Sequence, residues 1–550
     1  MNHLFSRIRP VGLLVLILFG AIAPVTGADE PANPKRWSVL WISAEDLSPD
    51  LGCYGDSYAK SPAIDKLAAD GARWTRAFSV APVCAPSRSS IITGMYPNSI
   101  GSLHMRNKCV PPPEVKCFTE YLRAAGFWCS NNVKTDYQFD PPATAWDESS
   151  NKAHWRNRPD PKQPFFSVFN ITTTHESQIR LDDAAFASRT EALTDPERHD
   201  PAKAVLPKYY PDSPVIQRDW ARYHDLITAM DKQVAAILAQ LDEDGLADST
   251  IVFFWGDHGR GLPRSKRWPY DSGTRVPLIV RWPGTIKPGT VVEDIVTLMD
   301  LGPSVMKTAG LEPPEHMQAQ AFLGEVGLNS PGLKKREYAF AHRDRMDETY
   351  DMIRSARDEQ FRYVRNFQHK KPYAQYIDYM EQMPTMRELR SLNKEGKLSG
   401  PSSLFFQPEK PKHELYDTLA DPDEVENLAD DPQYKDVVKR MKKAVDDWME
   451  DIEDLGFLPE PSLNERFRPG GVQKVTSAVA SRASTLSWRK QIALSCTTPG
   501  ASIAWRYADD PKNRWRLFTG PIPMKSGIAI EAKACRIGYR DSEIAVIESN

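Results

Sequence analysis

Three short apolar runs, each ending abruptly in residues that carry chemistry, constrain this chain more than any other feature. Trp37-Ser38-Val39-Leu40-Trp41-Ile42-Ser43 runs into Ala44-Glu45-Asp46. Pro164 to Ile171 runs into Thr172-Thr173-Thr174-His175, and Ile251-Val252-Phe253-Phe254-Trp255 delivers Gly256-Asp257-His258-Gly259. Runs of this length with little polar alternation read as buried strands. Between the second and third, Trp220 to Leu241 sets Tyr223, Leu226, Ile227, Met230, Val234, Ile237, Leu238 and Leu241 at helical spacing, with Gly245 near the end. That is an amphipathic helix packing on a sheet. Strands and helices in alternation predict an α/β fold with a large, mostly parallel sheet. Open sheets of that kind place ligands beyond the carboxyl ends of their strands. The carboxylates and histidines at the three ends are therefore candidates for one site.

A second string, Val83-Cys84-Ala85-Pro86-Ser87-Arg88-Ser89-Ser90-Ile91-Ile92-Thr93-Gly94, sets a thiol just before a proline. Proline suits the first turn of a helix, where its missing N–H costs nothing, and Gly94 suits the stop. The thiol then sits at a helix N-terminus, where free N–H groups and the dipole favour an anion. Arg88 adds a fixed cation one turn on, suited to a tetrahedral oxyanion. Taken alone, Cys-x-Pro serves a buried structural thiol equally well.

The full string resembles the sulfatase signature, Cys-x-Pro-Ser-Arg followed after three residues by Leu or Ile and then Thr-Gly, with every fixed position present. The resemblance runs from about residue 36 to 456 and implies an alkaline-phosphatase-like sulfatase fold. In that family the Cys is oxidised after synthesis to formylglycine (3-oxoalanine), whose hydrated aldehyde is the nucleophile; the resemblance implies that role for Cys84. The opening, through Leu51-Gly52-Cys53-Tyr54-Gly55-Asp56 and Pro62 to Ala68, is similar to that of many sulfatases, where the pair after the first strand is Asp-Asp and binds calcium. Here it is Glu45-Asp46, longer by one methylene. Lys134 stands where sulfatases carry a catalytic lysine in Gly-Lys-x-His, although Asp136 replaces the family's His. His175 follows the strand after which the family places an active-site histidine.

Asp257-His258 stands where the family completes its calcium site, and its His variant resembles iduronate sulfatases. An Asp-His pair also suits manganese or zinc. Lys266 corresponds to a second catalytic lysine, with Arg264 and Arg267 close enough in sequence to be confused with it. The implied assignments are Cys84, Arg88, Lys134, His175 and Lys266 as catalytic, and Glu45, Asp46, Cys84, Asp257 and His258 as metal-binding. They imply a sulfuric ester hydrolase acting on a sulfated, glycosaminoglycan-like carbohydrate, of N-sulfoglucosamine sulfohydrolase or iduronate-2-sulfatase type. A formylglycine-generating or anaerobic maturation enzyme is the implied partner. Two rivals are a phosphonate or phosphodiester hydrolase of the same superfamily and a catalytically silent glycan-binding protein.

The catalytic domain is expected over 36–335. From 336 to 460, alternating residues predict a smaller antiparallel subdomain ending in a charged helix, Tyr434 to Leu455. Within its polar run Ala341 to Glu348, His342, Asp344 and Arg345 are candidates for sugar recognition, as is His104 in Gly101 to Arg106. Residues 461–475 hold proline, glycine and polar residues and read as a linker. Residues 476–550 show short strands separated by turns and resemble the small β-sandwich appended to chitobiases.

A length of 550 residues allows two or three domains with cores of their own. A formal net charge of −3 leaves no basic excess to neutralise phosphates, which argues against a general nucleic-acid binder. Arg7 and Arg9, the apolar run Val11 to Ala23, and Thr26-Gly27-Ala28 read as an export signal over 1–28, predicting a periplasmic or secreted protein. No later segment is long and apolar enough to span a membrane. Of seven cysteines, Cys496 with Cys535 and Cys109 with Cys117 are open to pairing.

Overall fold

A computed structural model describes residues 36–486 and 489–548; the expected export signal lies outside the described residues. Among the described residues, nine strands form the large sheet: β1 (Ser38–Ala44), β2 (Ala72–Phe78), β3 (Trp128–Asn132), β4 (Glu148–Ser149), β5 (Phe165–Ile171), β6 (Thr250–Gly256), β7 (Arg275–Arg281), β8 (Thr290–Val292) and β9 (Val296–Thr297). Their order is β4-β3-β5-β1-β6-β7-β2-β8, with β9 also on β2. β3, β5, β1 and β6 are mutually parallel, and β7 alone runs antiparallel to both its neighbours. The register puts Ala44 of β1 level with Ile171 of β5 and with Gly256 of β6. The three apolar runs therefore end side by side, and the residues just beyond them are delivered to one edge.

Alternate residues of β1 feed opposite cores, as a strand covered on both faces requires. Leu40, Ile42 and Ala44 pack with Tyr223, Leu226, Met230 and Val234 of α4 (Pro214–Glu243). Val39 and Trp41 pack with Phe118 and Leu122 of α3 (Phe118–Ala124) and with Leu301 and Val305 of α5 (Leu301–Thr308). The carboxylate of Asp231 on α4 accepts the N–H groups of Ala63 and Ile64 at the start of α1 (Pro62–Ala69), at 3.1 and 2.8 Å. A side chain distant in sequence thus caps that helix.

The signature helix α2 (Cys84–Thr93) has no amphipathic stripe; all ten of its residues are buried. Its hydroxyls are satisfied internally: Ser90 and Thr93 donate to backbone carbonyls within the helix, and Ser89 donates to Ser102. Gly94 ends it in the left-handed region, at φ 69°.

A second, antiparallel sheet has the order β10 (Ala339–Arg343), β11 (Ile353–Arg357), β12 (Phe361–Asn366) and β13 (His413–Asp417). α6 (Lys435–Asp451) covers it through Met441, Val445 and Trp448. The region expected as a linker contains α7 (Glu460–Phe467), whose Leu463 and Phe467 are buried in the catalytic core. Apolar anchors four residues apart tie this connecting stretch down despite the polar composition around them. Two small sheets follow, of order β14 (Ala480–Leu486), β15 (Arg489–Ser495), β18 (Ile522–Pro523), and β17 (Arg516–Leu517), β16 (Ser502–Tyr507), β19 (Ile530–Cys535), β20 (Ala545–Ile547). They share one apolar core that includes Ile492, Ile503, Ile522 and Ile530. All seven cysteines are free, so the suggested pairings are absent; Cys109 and Cys496 instead contact the carbonyls of Gln138 and Ser477.

Candidate active site

Strand ends and α2 bring nine of the sequence candidates together. Cys84, at the first turn of α2, has its Sγ 3.2 Å from His258 Nε2 and 3.9 Å from Asp46 Oδ1. The Asp46 carboxylate accepts from Lys266 Nζ at 2.8 and 3.0 Å and from the Glu176 N–H at 2.7 Å, while the Asp46 N–H donates to Asp257 at 3.0 Å. Arg88 donates from Nε to Asp257 at 3.0 Å and from Nη1 to Asn170 at 2.8 Å. Glu45 is ion-paired with Lys134 and lies 3.7 Å from Arg88. Lys134 is also 3.6 Å from Asp136, the residue replacing the family's histidine. A Cβ on Gly261 would lie 2.5 Å from Asp46 Oδ2 and 2.7 Å from Glu176 Cβ, so only glycine lets this loop close over the carboxylate.

The charges reinforce one another. Burial would raise the Cys84 thiol, yet Lys134, Lys266 and His258 overcome it and bring it down to about 7. Burial would also neutralise Asp46, but Lys266, His175 and His258 hold it well below the usual carboxylate range. Burial opposes the imidazolium of His258, and Asp257, Cys84 and Asp46 prevail, raising it well above the ordinary histidine value. His258 Nδ1 faces the Gly259 carbonyl at 2.9 Å, which fixes a proton there and turns Nε2 toward Cys84. His175 Nε2 faces Lys266 at 3.5 Å, and its Nδ1 lies 2.8 Å from the Ser177 hydroxyl and 3.3 Å from the Ser177 N–H. Burial and Lys266 disfavour its charged form, but Asp46 and Cys84 outweigh them, so its pKa is raised.

Geometry also separates the three cations that sequence left alike. Lys266 bridges Asp46 and Glu176, each at 2.8 Å, whereas Arg267 grips Glu176 alone, bidentately at 2.8 and 3.0 Å. Arg264 turns away and donates to the carbonyls of Asp423 and Glu424. Asn170 was missed: it accepts from both Arg88 and Ser43 and donates to Asn131. Its signal was present, since an amide inside an apolar strand needs buried partners.

His104, His342, Asp344 and Arg345 come together elsewhere, in a network of their own. His104, His342 and Asp344 have 0% exposure. His342 pairs with Asp344 at 2.9 Å, Asp344 takes two bonds from Arg354, and Arg354 reaches Asp454. Arg345 pairs bidentately with Glu460 and keeps some exposed surface.

Two overlapping groups of side chains offer ligand atoms within 4.8 Å of one another: Asp46, Cys84 and His175, and Cys84, Asp257 and His258. Two buried carboxylates and an imidazole whose inward-facing Nε2 would give up its proton on metal binding fit a divalent cation.

The sulfatase family profile matches residues 38–311, and the profile for the C-terminal region of N-sulphoglucosamine sulphohydrolase matches residues 256–398. An ulvan-active sulfatase of Formosa agariphila is 38% identical, over 95% of this chain and 93% of that protein. Human N-sulphoglucosamine sulphohydrolase is 25% identical over 80% of this chain and 94% of its own. A solved protein in complex with its substrate D-glucosamine-2-N,6-O-disulfate superposes with a TM-score of 0.57 at 17% identity, covering 77% of this chain and all of that one. The cysteine-headed helix, the charged strand ends beside it and the near full-length similarity converge: the chain belongs to the sulfatase family and is a sulfatase.

Proposed function

We propose that this sulfatase removes sulfate from a sulfated carbohydrate of glycosaminoglycan type, with Cys84 matured to 3-oxoalanine as its nucleophile. The observation that carries the reading is the placement of Cys84. It lies at a helix N-terminus, next to Lys134, Lys266 and His258, with its thiol lowered to about 7. A plain thiol would form a thiosulfate ester with no route to release, whereas a hydrated aldehyde offers one hydroxyl to attack sulfur and a second to expel sulfate.

Asp46, Asp257 and His258, with Glu45 beside them, would hold the divalent cation, with calcium favoured by carboxylate donors. When bound it supplies Lewis-acid polarisation of sulfate oxygens and lowers the pKa of the attacking hydroxyl. Arg88, Lys134 and Lys266 are proposed to hold the sulfate oxygens as charge shifts onto them, each contributing about 2.7–4 kcal/mol by analogy with oxyanion-hole donors. His175, its pKa raised by Asp46 and Cys84 and its Nε2 turned into the site beside Lys266, is the proposed donor to the leaving oxygen or nitrogen. Arg345, the exposed member of its cluster, is the proposed sugar contact, with His104, His342 and Asp344 positioning it from behind. The N-terminal run is proposed to direct export to the periplasm or beyond. Among the described residues no helix is long and apolar enough to cross a membrane.

The test is co-expression with a formylglycine-generating enzyme, then the mass of the peptide carrying Cys84 and rates on sulfated sugars, an aryl sulfate and an aryl phosphonate. An aldehyde at Cys84 with sulfate esters or sulfamates preferred supports the reading. A thiol that persists in active protein, or a preferred phosphonate, overturns it.

A further inference from the structure

The C-terminal module carries a charge the rest of the chain does not. Residues 476–550 contain eleven Lys and Arg against six Asp and Glu, a net +5 in a chain of net −3. The module is docked firmly on the catalytic domain. Lys116 donates to Ser502 at 2.8 Å, Arg123 to the Trp515 carbonyl at 2.8 Å and Arg536 to the Pro111 carbonyl at 3.1 Å. Ile537 is buried in the catalytic core.

At this junction lies a cleft of about 580 Å³, between the β3–β4 edge of the large sheet and the loop after β16. That volume falls within the range of small-molecule sites. Its walls carry two aromatic rings with cations set on them. Arg514 lies over Trp128 at 5.4 Å, and the half-buried Trp515 is flanked by Arg506 at 4.5 Å and Lys533 at 4.9 Å. Lys152 and Lys512 stand on the rim. Of the cleft's acids, Asp147 is neutralised by Arg123 at 2.8 Å, while Glu148 accepts a hydrogen bond from Asn157 at 2.8 Å and keeps its charge, one carboxylate against three cations. Among the described residues no ion pair involves Lys152, Lys512 or Arg514, so these three charges are available to a ligand. Cations without an ion-pair partner, set along a cleft of this size, suit a sugar ring that bears anionic groups.

We propose that this cleft is an ancillary subsite for a remote segment of an anionic polysaccharide. The inference rests on the proposed carbohydrate substrate and adds to it a polymeric one. Trp128 opens β3 and Asn132 closes it, two residues before Lys134. At a rise of about 3.3 Å per residue the strand separates cleft and catalytic edge by about 13 Å, more than a monosaccharide spans. The cleft therefore raises affinity for chains without touching the bond that breaks.

The experiment titrates labelled heparin, as a sulfated polysaccharide, against full-length Cys84→Ala protein and the same protein carrying Lys152→Glu, Lys512→Glu and Arg514→Glu. A control carries Lys435→Glu, Lys439→Glu and Lys443→Glu on α6, and a further variant carries Lys152→Arg, Lys512→Arg and Arg514→Lys. We expect Kd to rise at least tenfold for the cleft triple and to stay within twofold for the other two. In matured protein with Cys84 restored, kcat/KM on an aryl sulfate stays within twofold for the cleft triple. Unchanged heparin binding by the cleft triple, or equal loss in the α6 control, overturns the subsite. If no sulfated sugar is turned over, the substrate reading fails while the titration still decides the cleft.

Discussion

Asp46 and Lys266, 220 residues apart in the chain, are joined by two hydrogen bonds of 2.8 and 3.0 Å in a pocket from which both are almost wholly excluded from solvent. One carboxylate thus serves as counter-charge to the lysine and as a proposed cation ligand. Whatever cation Asp46 takes up competes with Lys266 for it.

Removing Lys266 should accordingly move two properties in opposite directions. Lys266→Ala is expected to lower kcat by about 10²–10³, the loss typical of one oxyanion donor. It also removes the nearest cation from buried Asp46, leaving His258 at 3.1 Å; losing one partner of a buried ion pair typically costs about 3–5 kcal/mol. The chelator-treated variant should therefore melt below chelated wild type, and added calcium should recover more of its Tm than of the wild type's. Calorimetric titration should show tighter calcium binding in the variant. Weaker binding would mean that Lys266 supports the cation instead of competing with it.

Arg88 tests geometry apart from charge. Its Nε and Nη1 are committed to Asp257 and Asn170, an arrangement a lysine cannot reproduce. Arg88→Lys is expected to cut kcat/KM on an aryl sulfate by about 10²–10³-fold, or 2.7–4 kcal/mol. A loss under fivefold would show that a point charge suffices.

The unmatured thiol offers a pH signature. With Cys84 lowered to about 7 and Cys53, Cys109 and Cys535 pushed up to about 12 by burial, the thiolate of Cys84 forms at far lower pH than theirs. In chelated, unmatured protein, alkylation of Cys84 by a small haloacetamide should rise with a midpoint near pH 7, as followed by peptide mass. A midpoint near 9 would show that its cations do not reach it.

Asp231 gives a stability test away from the site. Burial raises its pKa to about 6, against the N–H groups of Ile64 and Ala63 that favour the charged form. A carboxyl raised in the folded state contributes stability that is fully present below its unfolded value, about 3.9, and is lost as pH climbs through 6. The Tm of wild type minus that of Asp231→Asn should therefore increase as pH falls from 7 to 4.5. The full span corresponds to about 3 kcal/mol. A difference that shrinks on acidification would place the folded pKa below the unfolded one.

Much of the site was legible because strand ends announce themselves. Apolar runs without alternation identified β1, β5 and β6, and the residues after each run had to share an edge once those strands were parallel neighbours. The Cys84 string carried its own helix start and stop, and both were realised. Less legible was anything depending on contacts between distant residues. Asn170 looked like one polar position within a strand, yet it holds Arg88 from 82 residues away. The stretch after 460 looked like a linker until Leu463 and Phe467 found the core.

The sequence by itself determined the order of strands and helices and the thiol at a helix start, because these follow from local periodicity and residue type; the charges expected around that thiol were implied by the sulfatase resemblance. Only the tertiary structure decided which cation meets which carboxylate. It set Lys266 between Asp46 and Glu176, turned Arg267 to Glu176 and turned Arg264 away from both. It also buried His104, His342 and Asp344 in a network behind Arg345. Partners of this kind are chosen by packing, which brings together side chains such as Asp46 and Lys266, 220 residues apart, and excludes the water that would otherwise screen them.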